Sequence, residues 1–472
     1  MIVEQIYTGC LAQGAYYIES KGESVIIDPL REVQPYIEKA EKNGAKIKYI
    51  LETHFHADFV SGHLELSKKT NAPIVYGPMA SPSFDAIVAE DGQILEVGDV
   101  KIKVLHTPGH TMESTCYLLI DENGKENCIF TGDTLFIGDV GRPDLAQKST
   151  LTIQDLAGYL FDSLRNKIMP LSDDLLVYPA HGAGSACGKN MSKETYDTLG
   201  NQKKFNYALR ANMTREEFIH EVTEGLELVP PPYYFPKNVM INKTGAKDLD
   251  SVKRQVQALS AAAFEAAANE TGAVVIDTRP AQTFKNGFIP NSINIGIKGD
   301  FAPWVGTLIT DIEQPILIVA DAENLEEVIT RLSRVGYDNV IGYLEGGFST
   351  WSNSGKEIDT IESISAEEFA QRFAESEGKI IVKDVRKPTE YMAEHVDEAM
   401  NIPLANLSNN MVEFSKDETN YIHCAGGYRS MIACSILKSR GFDNIVDIAG
   451  GFAAVAKTNA PKTDFVCQSK MK

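Results

Sequence analysis

Two histidines and an aspartate crowd into five residues, His54-Phe55-His56-Ala57-Asp58, just after the apolar stretch 47–51. Imidazole and carboxylate at the end of a buried strand are the donors a metal ion needs. More donors follow in matching places. His110, in His106-Thr107-Pro108-Gly109-His110, comes after Ile102-Lys103-Val104-Leu105, and Asp133 comes after Cys128-Ile129-Phe130. Loops leaving one edge of a sheet converge, so His54, His110 and Asp133 are the expected ligand set. Pro108 and Gly109 allow the tight turn before His110. Two imidazoles and one carboxylate with open positions suit non-haem Fe(II) that binds O₂. Zinc accepts the same atoms, so donor type leaves the metal open.

A second reactive centre lies near the other end. Tyr421-Ile422-His423 reads as a short strand, followed by Cys424-Ala425-Gly426-Gly427-Tyr428-Arg429-Ser430 and an apolar helical pattern over 431–437. The glycines let backbone N–H groups turn inward around the sulfur, and a helix N-terminus adds positive potential. Both favour the thiolate, the nucleophilic form. A persulfide on Cys424 would be held by the same donors, with Arg429 closing the loop or fixing the incoming anion. Cys187 sits in Gly182-Ala183-Gly184-Ser185-Ala186-Cys187-Gly188, directly after His181. That position makes it a second sulfur-handling thiol or an inert one. The chain has seven cysteines, an odd number without dense spacing, so no disulfide framework is expected. Cys434 reads as core.

The elements that position these groups follow from hydrophobic patterning. Strands are expected at 24–29, 46–51, 72–76, 100–105, 128–130 and 175–178, with a helix over 33–43. Thr214 to Glu217 reads as a capping box opening a helix. The proline cluster 230–236 ends the first domain, and an Ala-rich helix over 257–268 opens the next. Beyond it the chain repeats itself about 105 residues on. Val274-Val275-Ile276-Asp277-Thr278-Arg279 returns as Ile381-Val382-Lys383-Asp384-Val385-Arg386, and Gly346-Gly347-Phe348 as Gly450-Gly451-Phe452. Alternating strands and helices in each copy imply a parallel sheet. The expected division is 1–240, 250–356 and 361–472.

Of 472 residues, 43% are hydrophobic and 23% charged, a globular composition. The formal charge of −20 argues against nucleic acid or an anionic membrane surface as partner. There is no apolar run long enough to span a bilayer and no basic-then-apolar N-terminus, so a cytoplasmic enzyme is expected.

The motifs His54-Phe55-His56-Ala57-Asp58, Pro108-Gly109-His110, Gly132-Asp133 and Ala180-His181-Gly182 resemble the metallo-β-lactamase fold in its glyoxalase-II-like branch. That resemblance implies an αββα sandwich. In hydrolases of this fold a histidine normally follows the aspartate and helps bind a second metal; here the residue is Phe59. Gly138-Asp139-Val140-Gly141-Arg142-Pro143-Asp144 resembles persulfide dioxygenases. This implies one Fe(II) per chain on His54, His110 and Asp133, with His56, Asp58 and His181 behind them orienting ligands or handling protons. His181 is otherwise a relic of a two-metal ancestor. Arg142 pairs either with a carboxylate of the thiol carrier or internally. His63 is expected on the outer face of the helix that follows.

Cys424, four residues and Arg429, with Asp384 and Arg386 upstream, resemble the rhodanese family. The resemblance implies two doubly wound parallel-sheet domains, with Ala425, Gly426, Gly427 and Tyr428 binding the substrate anion. The first copy has no cysteine. An ungapped match puts Val319 opposite Cys424 and Asn324 opposite Arg429, leaving this copy a spacer, a dimerisation surface or part of a channel. The fusion resembles sulfide-detoxification proteins. It implies oxidation of a thiol persulfide by O₂ to sulfite and conversion of sulfite to thiosulfate on Cys424, in a homo-oligomer. The carrier (glutathione, coenzyme A, bacillithiol or another) is not legible. Two other readings stay open: a dinuclear zinc thioester hydrolase and a non-oxidising sulfur carrier.

Overall fold

The computed structural model describes residues 1–146, 150–189, 191–226, 231–377 and 379–466. By its contacts the chain divides into two compact units, Met1–Ser251 with Leu332–Gly336, and Val252–Arg331 with Tyr337–Lys472. Pro230 and Cys467 lie outside the described residues.

The first unit holds two six-stranded sheets. One runs in chain order through β1 (Ile2–Thr8), β2 (Gln13–Ser20), β3 (Glu23–Ile27), β4 (Lys46–Leu51), β5 (Ile74–Tyr76) and β6 (Ile87–Val88). The other runs through β7 (Ile94–Val97), β8 (Val100–His106), β9 (Thr115–Ile120), β10 (Glu126–Gly132), β11 (Leu176–Pro179) and β12 (Asp197–Thr198). Patterning explains the layers. On β8, Val100, Ile102 and Val104 point into the space between the sheets, while Lys101 and Lys103 alternate outward. β9 and β10 are apolar on both faces, because Tyr117, Leu119, Cys128 and Phe130 meet the first sheet, whereas Cys116, Leu118 and Ile129 meet helices.

Those helices, Ile153–Ser163 and Arg215–Thr223, both start in a full capping box, Thr152 with Asp155 and Thr214 with Glu217. Helices Gln34–Lys42 and His63–Thr70 cover the other sheet through Tyr36, Ala40 and Leu66. The result is the expected αββα sandwich. Pro236 does not break the chain; it sits in the first turn of helix Phe235–Thr244, where its missing N–H costs nothing.

The second unit holds two five-stranded parallel sheets of identical order. The first is β13 (Gln257–Leu259), β17 (Val340–Leu344), β16 (Ile316–Val319), β14 (Val274–Asp277) and β15 (Ile293–Asn294). The second is β18 (Glu362–Ile364), β22 (Ile445–Ile448), β21 (Asn420–His423), β19 (Ile381–Asp384) and β20 (Met400–Asn401). Each repeat has its own core. The duplication reaches side chains. Arg279 and Arg386 each grip the aspartate two residues back and lie over Phe348 and Phe452, at 4.0 and 4.1 Å.

Two expectations need correction here. The helix at 257–268 begins only at Ala261, capped by Ser260, because Gln257–Leu259 joins the sheet edge as β13. The repeat match is also one residue out. Val319 opposes Asp277 just as His423 opposes Asp384, so Ala320, not Val319, stands where the second repeat has Cys424. A one-residue length difference in the connections shifts an ungapped comparison.

Candidate functional site

β8, β10 and β11 run in the same direction, so their C-terminal ends share one edge of the sheet. His110, Asp133 and His181 lie just past those ends, and His54 lies past the end of β4. The approach to His110 needs glycine at 109: φ is +149°, and a Cβ would fall 2.4 Å from the Leu160 backbone.

His54, His110 and Asp133 offer ligand atoms within 4.8 Å of one another, all buried. Nε2 of His54 and of His110 lie 3.9 and 3.5 Å from Asp133 Oδ2. The far side of each ring is already fixed. His110 Nδ1 donates to the Arg142 carbonyl at 2.9 Å. His54 Nδ1 donates to Thr53 Oγ1 at 3.0 Å, which in turn donates to Asp28 at 2.9 Å. With Nδ1 protonated, both Nε2 lone pairs face the carboxylate. Burial and the neighbouring His56 and His110 push His54 well below the ordinary histidine value, so it is neutral and ready to ligate. Both Asp133 oxygens are buried without a hydrogen-bond partner. Lone pairs converging on an orphaned carboxylate fit a bound cation, so these three residues fit the expected metal.

His56 faces the other way. Its Nε2 lies 3.1 Å from Asp28 Oδ1 and 3.5 Å from Glu52 Oε2. Burial alone would depress it, but Asp28 and Glu52 outweigh burial and raise it to about 9. In the metal-free protein those carboxylates favour its imidazolium form, while its ring also falls within 4.8 Å of ligand atoms of Asp58 and His181, a second group able to hold a cation. Phe59, 0% exposed, packs on its ring at 4.2 Å.

His181 Nε2 bridges Asp58 and Asp133 at 3.3 and 3.6 Å, and those carboxylates raise it well above its ordinary value against the pull of burial. Cys187 Sγ comes within 4.8 Å of ligand atoms of Asp133 and His181. Burial, with Asp58 and Asp133, pushes its thiol up to about 12.

Two side chains sit elsewhere than their types suggest. His63 is buried, 3.3 Å from Glu52 and stacked on Phe84, not on the outer face. It is the first residue of helix His63–Thr70 and shares the buried face with Leu66, three residues on, so it points inward. Arg142 makes the internal pair: its guanidinium forks onto Asp144 with two bonds of 2.7 Å and reaches the Ala186 carbonyl, bracing the loop that carries Cys187. Spacing did not reveal Asp28, Glu52 or Thr53. Only the antecedent strand end at Asp28 hinted at a role.

In the second unit the thiol loop forms as expected. β21 ends at His423, and helix Tyr428–Ser439 starts four residues after Cys424. Gly427 N–H donates to Cys424 Sγ at 3.1 Å from a backbone with φ +96°, which calls for glycine. Arg429 is spoken for: Nη1 and Nη2 fork onto Glu390 at 2.6 and 2.8 Å. The Tyr428 side chain turns away from the cradle. Its hydroxyl donates to the Gly296 carbonyl of the first repeat at 2.8 Å, so it anchors the loop instead of lining it. Cys434 is buried core, its thiol held well up by burial.

Residues 8–181 match the metallo-beta-lactamase superfamily, and 260–354 and 365–458 match the rhodanese-like domain. The chain is 31% identical over 193 residues to a hydroxyacylglutathione hydrolase of Francisella philomiragia, spanning 41% of this chain and 70% of that one. A solved metallo-beta-lactamase from Staphylococcus aureus is 30% identical, covers 73% of this chain and 98% of its own, and superposes with a TM-score of 0.64. ETHE1 from Myxococcus xanthus is 29% identical over 52% of this chain and 98% of its own, with a TM-score of 0.44. Two histidines and an orphaned aspartate at converging strand ends, on an αββα sandwich followed by duplicated parallel sheets, agree with both family matches: the chain belongs to the metallo-β-lactamase superfamily and carries two rhodanese-like domains.

Proposed function

We propose that this chain is a persulfide dioxygenase joined to a sulfurtransferase: RSSH + O₂ + H₂O → RSH + SO₃²⁻ + 2H⁺, then conversion of sulfite to thiosulfate. The observation that carries the reading is Phe59. It stands where the resemblance puts a second-metal histidine in hydrolases, and its buried ring stacks on His56, whose Nε2 faces Asp28 and Glu52. Of the two two-histidine, one-carboxylate groups among the described residues, His54, His110, Asp133 and His56, Asp58, His181, we take the first as the metal set, the donor pattern of O₂-activating non-haem Fe(II).

One Fe(II) held by His54, His110 and Asp133 would supply O₂ binding and a Lewis-acidic seat for the terminal persulfide sulfur. The chain's own groups do the rest. Thr53 and the Arg142 carbonyl keep the two imidazoles in the ligating tautomer. His181, between Asp58 and Asp133, would hold or pass a proton next to the metal set. Cys424, poised by Gly427 N–H, accepts sulfane sulfur from a second persulfide. Sulfite then attacks that outer sulfur and leaves as thiosulfate.

Metal analysis together with oxygen uptake on glutathione or coenzyme A persulfide tests the oxidation. Iron-loaded protein that consumes no oxygen overturns it. The hydroxyacylglutathione hydrolase among the relatives favours a second reading, a two-zinc thioester hydrolase. It expects two zinc ions per chain and thioester cleavage without oxygen uptake.

A further inference from the structure

We propose that Ser430 and Asp447 form a proton relay behind Cys424, with Asp447 as its terminal acceptor. The idea rests on the reading of Cys424 as sulfur acceptor, but its geometry stands alone. Cys424 Sγ, 1% exposed, donates to Ser430 Oγ at 3.7 Å, and Ser430 Oγ donates to Asp447 Oδ1 at 2.7 Å. Both bonds point the same way, from thiol to carboxylate. Asp447 is fully buried in the middle of β22, where an apolar residue would pack more cheaply. Its other oxygen takes Ser363 Oγ at 2.8 Å from the neighbouring β18. Ser363 braces the carboxylate and lies outside the path.

The repeat supplies an internal control. By strand register, Cys424, Asp447 and Ser363 correspond to Ala320, Tyr343 and Ala258 in the first copy. The copy that lost the thiol also lacks the carboxylate and its brace. A carboxylate kept only to pin the fold has no reason to vanish together with the cysteine.

Charged and titratable groups among the described residues face the relay from several elements. Lys285 and Cys434 lie in the field of Asp447. Arg429, paired with Glu390, and Cys434 lie in that of Cys424. Burial raises the Asp447 carboxyl above the usual carboxylate range, so it takes a proton more readily than a surface aspartate.

The steps balance. As Cys424 Sγ bonds to the sulfane sulfur of RSSH, the R–S to sulfur bond breaks and the Cys424 proton passes through Ser430 to Asp447. RS⁻ departs as RSH with the persulfide's own proton, leaving Cys424–S–S⁻. When sulfite takes the outer sulfur as thiosulfate, Asp447 returns its proton through Ser430 to the departing Cys424 sulfur. No oxidant or reductant is consumed.

The test reads the thiol's charge and its reaction separately in the full chain. A carboxylate disfavours a thiolate beside it, so Asp447→Asn should move the midpoint of Cys424 alkylation by iodoacetamide down, a readout that needs no sulfurtransferase activity. The same variant should cut thiosulfate-to-cyanide sulfur transfer by about 10²-fold at unchanged KM, because the proton acceptor is gone. Ser430→Ala should cut transfer alike, and Ser430→Thr, which keeps the hydroxyl, should restore it. Ser363→Ala should leave transfer in place. Undiminished transfer in Asp447→Asn, or an equal loss in Ser363→Ala, overturns the relay. If Asp447→Asn does not fold, Ser430→Ala against Ser430→Thr decides alone. A lowered midpoint in Asp447→Asn, with an unmutated protein that transfers no sulfur, would keep the thiol–carboxylate coupling and reject the sulfurtransferase reading.

Discussion

Gly299→Ala is a one-carbon change that should reach the thiol loop from the other repeat. Gly299 lies against the ring of Tyr428: an added Cβ would fall 2.4 Å from Cζ, 2.5 Å from Cε2 and 2.9 Å from Cε1. No ordinary carbon contact is that short, so the ring must move by about 1 Å. It cannot swing aside freely, because its hydroxyl is tied to the Gly296 carbonyl and its backbone is the first residue of helix Tyr428–Ser439. Overpacking costs about 1–3 kcal/mol, and a lost hydrogen bond adds about 1 kcal/mol. A total near 3 kcal/mol lowers the melting temperature of a unit of this size by roughly 6–12 °C. The displaced ring also drags Gly427, whose N–H holds Cys424 Sγ. Misplacement of that order costs up to about 10²-fold in sulfur transfer. The assay pairs calorimetry with thiosulfate-to-cyanide transfer, and adds Gly299→Ala/Tyr428→Ala, in which the clash is gone and the two penalties should not add. An unmoved melting temperature with full transfer in Gly299→Ala would refute the coupling between the repeats.

Thr53→Val removes the hydroxyl between Asp28 and His54 at nearly constant volume. Metal affinity should fall about 10- to 100-fold in chelator competition. Cys424→Ser should leave oxygen uptake intact and shift the product from thiosulfate to sulfite, read by ion chromatography; if thiosulfate stays dominant, Cys424 is not the transfer site. Metal-free protein should lose stability as pH rises. His56 is raised to about 9 from an unfolded value near 6.5, so its contribution is complete below about 6.5 and lost through 9. At ~1.4 kcal/mol per pH unit the loss is about 3 kcal/mol. His56→Asn should flatten that part of the melting profile between pH 6 and 9.

The cluster of His54, His110 and Asp133 was legible because each follows its own apolar strand within a few residues. Parallel β8, β10 and β11 carry such positions to one edge whatever the loops do. Cys424 was legible because a thiol, glycines and an arginine between a strand and a helix have few other uses. His63 was misread because periodicity ranks a polar residue as outward, and only packing showed a buried pocket formed by Glu52 and Phe84. The slip from Ala320 to Val319 arose because sequence spacing counts residues, whereas register counts ladder partners.

By itself the sequence determined the chemistry available: two imidazoles and a carboxylate for a metal, Phe59 in place of a further donor, and one thiol in a loop of amides. Those are local facts, since a strand and the turn after it are specified by adjacent residues. Tertiary structure alone decided which charges meet. It turned Arg142 onto Asp144 and Arg429 onto Glu390, put His56 between Asp28 and Glu52, and set Asp447 behind Cys424 through Ser430. Serine and aspartate occur everywhere in a chain and carry no spacing signal. Their roles arise only when packing brings distant strands together, where low dielectric makes each pairing count.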